Sequence, residues 1–165
     1  MATTEGSGKA TEGKGEAFPD GEAVLSLETF LPYRLNRLAD AVSREFQRIY
    51  KDRHGLTRPE WRALATLGQS GVMTATAIGE HSSMHKTKVS RAVAELERRK
   101  WLTRTVDGND RRVELLSLTR AGEKIYRELV PLATAFEDAL LAKLGDKERA
   151  ALVMGLSALE AAIDR

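Results

Sequence analysis

The chain has 165 residues, with 26 Lys and Arg against 24 Asp and Glu, 42% hydrophobic residues and no cysteine. That length holds about one domain with a real core, and the missing cysteines exclude disulfides, thiolate zinc sites and thiol nucleophiles. No apolar run approaches the roughly 18 residues of a membrane span, and the start lacks the apolar segment of a signal peptide, so a cytoplasmic protein is expected.

Residues 1–22 hold five of the 13 glycines and two Lys against five acids, with almost nothing apolar. Such a segment cannot bury enough surface to offset its ordering entropy, so a disordered tail is expected over 1–22, and its negative balance argues against a nucleic-acid-binding arm. From Leu27 the pattern turns helical. Leu31, Leu35, Leu38, Val42, Phe46 and Ile49 recur at steps of three and four, which predicts an amphipathic helix of about 25 residues with Pro32 in its first turn. Phe30, Tyr33 and Tyr50 lie off that stripe. Arg34, at its edge, reads either as an arginine snorkelling to the rim or as a cationic anchor for an anionic ligand.

His54-Gly55 ends this helix, and Thr57 with Glu60 three residues on, and Pro59 between them, starts the next. Trp61 on that second helix reads as core or as the wall of a pocket. Gly68 and Gly71 bracket a turn, and Val72-Met73 has room for only a very short strand. Thr74 caps a short helix ending at the Ser82-Ser83 turn, and a second helix runs from about Met84 to Lys100.

Ser82 to Arg112 is the most informative stretch. It carries nine Lys and Arg against four acids, a clustering that suits nucleic acid better than the overall charge does. Val89, Val93 and Leu96 make the buried face of its helix. Ser83, His85, Lys86, Thr87, Lys88, Ser90 and Arg91 form an opposite face with no acid before Glu95, where a merely solvated helix would mix both signs. Hydroxyls and cations near a helix N-terminus can reach base edges and phosphates together in a major groove.

Residues 101–106 and 113–118 then alternate as two strands around Asp107-Gly108-Asn109-Asp110, which is hairpin turn chemistry. Arg111 and Arg112 sit at the tip, where arginines can enter a narrow minor groove. Asp110 is expected to cap the turn and to orient Arg112 through an ion pair. Thr119 caps a long helix with an apolar line from Ile125 to Leu144, kinked at Pro131, and Leu152, Leu156, Leu159 and Ile163 mark a last helix. The fold class is therefore mostly α with a small β-hairpin wing: a winged helix-turn-helix domain plus long dimerisation helices. Residues 23–165 read as one unit, with a DNA-binding region over 57–118 and dimerisation helices over 27–53 and 119–163.

The run KVSRAVAELERRKWLTRTVDGNDRRVELLSLTRAGE, followed by a long helix, resembles the winged helix-turn-helix regulators of the multiple-antibiotic-resistance repressor (MarR) family. Its marks are Val89-Ser90-Arg91, Leu96-Glu97, Asp110, Arg112 and Leu118-Thr119 with Gly122 beyond. The resemblance covers roughly residues 27–163 and implies a homodimer on double-stranded DNA at a palindromic operator, with Arg112 in the minor groove and the residues from His85 to Arg91 facing the major groove. One departure is Lys100, where the family usually has glycine; a left-handed lysine costs about 1 kcal/mol, so the helix is expected to end differently here.

The runs FLPYRLNRLADAVSREFQRIY and MHKTKVSRAV resemble the branch that answers hydroxycinnamate-type aromatic acids or their coenzyme A thioesters. That implies a repressor released by such a small-molecule effector. Tyr33, Arg34, Arg37, His54 and Trp61 are the candidate residues for it, supplying cations and an aromatic wall. No cofactor, metal or catalytic residue is expected: phosphate loops, dinucleotide fingerprints, HExxH and hydrolase elbows are absent, and the turn at Ser82-Ser83 falls between His81 and His85. A winged-helix protein-interaction module without sequence-specific DNA binding is the reading from another functional class.

Overall fold

The computed structural model describes residues 24–108 and 110–163, so the tail expected over 1–22 lies outside the described residues. The order is α1 (Leu31–His54), α2 (Arg58–Ser70), α3 (Ala75–Ser82), α4 (Lys86–Arg98), β1 (Leu102–Val106), β2 (Glu114–Leu118), α5 (Arg120–Leu141) and α6 (Asp146–Ile163). The protein is mostly α with one small hairpin, as its periodicities predict. No helix among the described residues is long and apolar enough to cross a membrane.

The described residues fall into two compact units, one ending at Val42 and one beginning at Ser43. In the first, the Ser26 carbonyl accepts from the Thr29 and Phe30 amides at 3.3 and 3.1 Å. This turn delays the start of α1 to Leu31 and leaves Pro32 in the first turn, where its missing amide proton costs no helical hydrogen bond. Leu25, Leu27, Phe30, Leu31 and Leu38 are all exposed.

In the second unit α1 ends where glycine allows it: Gly55 takes a φ of 62° and donates to the Lys51 carbonyl at 2.7 Å. The Thr57 amide donates to Glu60 Oε2 at 3.0 Å, closing the entry to α2. Gly68, expected on one side of the second helix and at the edge of a turn, belongs to the helix alone. It lies inside α2, where a Cβ would fall 2.5 Å from the Tyr126 ring of α5; the glycine lets the two helices approach. Gly71, with a φ of 81°, ends α2 without it.

Thr74 Oγ1 accepts from the Ala77 amide at 3.1 Å and starts α3. Left-handed Ser83 turns the chain, and α4 begins at Lys86, two residues later than the start expected after the Ser82-Ser83 turn. Val89, Ala92, Val93 and Leu96 are buried with Leu64 and Leu67 of α2, Ile78 of α3, and Leu102 and Leu116 of the hairpin. One core thus holds the helix-turn-helix and the wing together. An aromatic cluster extends it: Tyr50 stacks on Trp61 at 5.6 Å, and Phe46 meets Trp61 edge-on at 5.3 Å and Phe136 at 5.2 Å.

The departure at Lys100 does not change how α4 ends. Lys100 itself takes the left-handed conformation, φ 61°, and its amide reaches the Glu97 carbonyl at 2.8 Å while the Trp101 amide reaches Leu96 at 2.9 Å. That double bond pattern is the one glycine usually serves, so the lysine accepts a small strain and the expected alternative ending is not taken.

β1 and β2 pair antiparallel from Leu102 opposite Leu118 to Val106 opposite Glu114. Met73 exchanges backbone hydrogen bonds of 3.0 and 2.8 Å with Leu116, reducing the predicted short strand to a single bridge. Thr119 then serves two elements, accepting from the Gly122 amide at 3.2 Å and donating to the Lys100 carbonyl at 2.7 Å. Helix α5 continues through Pro131 to Leu141. Helix α6 has no buried residue, and Leu152, Val153, Met154, Leu156 and Ile163 are exposed along it.

Candidate nucleic-acid interface

The nine cations between Ser82 and Arg112 do not act alike, because the fold sorts them. Glu95 holds two of them: its Oε1 is 2.6 Å from Arg98 Nη2 and 2.7 Å from Arg99 Nε. Arg104 of β1 lies between Glu97 of α4, at 3.2 Å, and Glu114 of β2, which it also meets in an ion pair. Lys86, Lys88, Arg91, Lys100, Arg111 and Arg112 make no ion pair among the described residues. The unneutralised charge therefore collects on the start of α4, at its left-handed end and at the wing tip, while the junction between helix and wing is balanced.

The structure exposes every residue of the predicted face. Ser83 is the left-handed residue after α3 and His85 the N-cap of α4; Lys86, Thr87, Lys88, Ser90 and Arg91 follow on the helix side opposite Val89, Ala92, Val93 and Leu96. His85 makes no side-chain capping bond, so the partial positive charge of the α4 N-terminus adds to that of its cations.

At the wing, Arg111 and Arg112 are exposed in a turn. The expected link between Asp110 and Arg112 is made differently: the Asp110 carboxylate accepts from the Arg112 backbone amide at 2.9 Å, and the Arg112 guanidinium has no ion pair among the described residues. An Asx-type turn closes more easily than an ion pair two residues apart at an exposed tip. The Val113 amide donates to the Asp110 carbonyl and the Asp107 amide to Val113, both at 2.9 Å, completing the turn.

Arg99 is the residue whose role sequence patterns do not reveal. Its Nη1 and Nη2 donate to the His54 and Gly55 carbonyls at 2.7 and 3.1 Å, satisfying the end of α1. The same guanidinium reaches Glu95, stands 3.7 Å from the buried Glu60 of α2 and lies 5.1 Å over the Trp101 ring. Its partners are 44 and 45 positions away in the chain, so no local pattern announces it.

The charge geometry also fixes one titration. Hydrogen bonds from Arg98 and then Arg99 hold the Glu95 carboxyl down to about 2, from an ordinary 4.5. A depressed carboxylate contributes stability that is complete above its unfolded value and lost as pH falls through its folded value. The clamp at the end of α4 is accordingly expected to persist down to about pH 2, with its stabilising effect waning between 4.5 and 2. Carboxyl chemical shifts followed through an acid titration should place Glu95 near 2 and below the ordinary 4.5.

The five candidate effector residues fall in different units. In the first, Arg37 lies 5.8 Å from the Tyr33 ring centroid, and Arg34 and Arg37 line one shallow recess with Leu27, Glu28, Leu38 and Ala41. In the second, the His54 ring meets Trp101 edge-on at 6.1 Å, and its Nε2 is 3.4 Å from Glu128 Oε2, near enough to attract but off the line of a hydrogen bond. Trp61 is half-buried in the aromatic cluster and stacked on Tyr50, so it serves as core.

The fold agrees with comparison to known proteins. A MarR family model matches residues 54–113, the span from the end of α1 to the wing tip. An uncharacterised helix-turn-helix-type transcriptional regulator of Bacillus subtilis, YwoH, is 33% identical over 97 residues, 59% of this chain and 70% of its own length. The chain belongs to the MarR family. It is a DNA-binding transcriptional regulator of the winged-helix type, and not an enzyme. Among solved MarR structures, SPO1453 of Silicibacter pomeroyi is 29% identical with a TM-score of 0.74, covering 85% of this chain and 99% of that one. BpsR of Bordetella bronchiseptica, whose DNA binding is regulated by 6-hydroxynicotinic acid, shares the fold at 24% identity and a TM-score of 0.72, covering 84% and 98% of the two chains.

Proposed function

We propose that this MarR-family protein is a cytoplasmic homodimeric repressor that binds a palindromic operator and releases it when a small aromatic acid, or its coenzyme A thioester, binds. The observation that carries the DNA half is the exposed, acid-free run from Ser83 to Arg91 with Arg111 and Arg112 at the wing tip. All the cations of that surface lack ion-pair partners among the described residues, whereas Arg98, Arg99 and Arg104 behind it are neutralised. In this reading Lys86, Thr87, Lys88, Ser90 and Arg91 enter the major groove, Ser83 and His85 contact the strand at its edge, and Arg112 with Arg111 enters the minor groove.

The dimer is supported by α6, whose exposed Leu152, Val153, Met154, Leu156 and Ile163 leave an apolar surface uncovered in one chain. A twofold assembly would cover it and set two α4 helices about one DNA turn apart, which is the origin of the palindrome. The effector class rests on the resemblance of the α1 and α4 runs to the aromatic-acid-responsive branch. An aromatic acid regulates BpsR, which shares the fold. Arg34 and Arg37 beside Tyr33 supply the cations such an acid requires.

Titration of the protein onto the DNA upstream of its own gene tests this reading. Binding should weaken steeply with salt, protect a two-half-site footprint and be reversed by hydroxycinnamates or their thioesters. Arg112→Ala should weaken operator binding by about 1–3 kcal/mol while the dimer survives in analytical ultracentrifugation. Equal affinity for random DNA at moderate salt would reject the operator, and loss of the dimer in Arg112→Ala would show that the wing tip is structural.

A further inference from the structure

Beside the α4 face, the N-terminal turns of α2 and α4 enclose a polar hollow. It is lined by Arg58, Pro59 and Arg62 from α2 and by Ser83, Met84, His85 and Lys88 from the turn and α4. Arg58 and Arg62 are four residues apart and share one helix face, as do His85 and Lys88 at three. No acid is among these lining residues. Glu60, in the same turn of α2 as Arg58, stands 3.7 Å from Arg99.

Arg62 is held in place there. Its Nη1 donates to the Ser82 carbonyl at 3.1 Å, so the guanidinium fixes the α3–α4 turn with one nitrogen while four further N–H donors remain on its fork. The α4 N-terminus, with His85 making no side-chain capping bond, adds its partial positive charge on the other side. A guanidinium pinned by the backbone, a lysine and a helix N-terminus around a polar recess form a receptor for a tetrahedral oxyanion.

We propose that this hollow is a docking site for one phosphate of the DNA backbone, with Arg58 and Arg62 of α2 as positioning residues that set the depth and register of α4. The inference rests on the DNA-binding reading and extends it to a second helix. Continuity decides the occupant: Ser83, His85 and Lys88 belong both to the hollow and to the exposed α4 face, so a strand lying along that face passes over the recess. A backbone phosphate carries no sequence information, and the contribution of α2 is the same for every duplex.

The test is fluorescence anisotropy of the full chain with the upstream duplex and with a random duplex of equal length, each across a range of salt. Arg58→Gln and Arg62→Gln should each lower affinity for both duplexes by about tenfold, the worth of one charge-assisted hydrogen bond. The slope of log affinity against log salt should fall by about one for each cation removed from the phosphate. Arg62→Lys, which keeps the charge, should restore that slope. Thermal melting identifies any effect of Arg62→Gln that arises from loosening the Ser82 turn, and Arg58→Gln then carries the measurement. Unchanged affinity and slope in Arg58→Gln, in a background where Arg112→Ala weakens binding, would overturn the inference and leave the DNA reading standing. A change in sequence preference would also overturn it, since that marks base reading. Failure of the unmutated protein to bind DNA in a salt-sensitive way would overturn both.

Discussion

Replacing Gly122 with alanine is expected to destabilise the protein by about 3 kcal/mol or more, a loss of about 10 °C in Tm for a chain of this size. An alanine Cβ would lie 2.0 Å from the Trp101 carbonyl oxygen and 2.9 Å from its carbon. Both are backbone atoms of the segment joining α4 to β1, and they cannot rotate away as a side-chain tip does. Accommodation requires the first turn of α5 to move off the base of the wing, and Thr119 sits between them, bonded to Lys100 on one side and Gly122 on the other. Chemical denaturation would measure the effect. A loss under about 1 kcal/mol would mean that α5 shifts freely and that this junction is looser than its hydrogen bonds imply.

Arg99→Ala is expected to cost about 2–4 kcal/mol, a little below the roughly 3–5 kcal/mol lost when one partner of a fully buried pair is removed, because the Arg99 side chain keeps partial exposure. The substitution removes two hydrogen bonds to the end of α1, one to Glu95 and a cation 3.7 Å from Glu60, which is only 8% exposed. Lysine should recover little of this, because a point charge cannot bridge two carbonyls and a carboxylate as the planar fork does. Urea denaturation of the two variants separates the contributions. If Arg99→Lys matches the unmutated protein, charge near Glu60 matters and the fork does not.

Much of the fold was legible because its signals are local. Val89, Val93 and Leu96 report the buried face of α4 by spacing alone, Thr74 and Thr119 announce the helices they cap, and Asp110 closes the wing turn as its chemistry predicts. What local patterns could not supply was pairing across the chain. Gly68 could be placed on the second helix and at the edge of a turn, but only Tyr126, packed against it from α5, gives the reason for a glycine there. Lys100 looked like an obstacle to the usual helix ending, yet the left-handed geometry is imposed by Thr119 and by the bonds to Leu96 and Glu97. The interface shows the same division: a basic stretch stands out in the sequence, but there Arg98, Arg99 and Arg104 weigh equally with Lys86, Arg91 and Arg112. Separating the neutralised cations from the available ones requires the positions of Glu95, Glu97 and Glu114.

The pair of carboxylates around Arg104 bears on how such a regulator finds its site. A chromosome offers about a million or more competing stretches for each operator, all with the same phosphates. A wing basic along its whole length would hold each of them more firmly and spend more time off target. Because Arg104 is enclosed by Glu97 and Glu114, the base of the wing adds less net positive charge towards passing DNA than the wing tip or the start of α4. Glu97 of α4 and Glu114 of the hairpin would thereby act on the search itself, lowering the background grip so that binding at the correct sequence stands out above it.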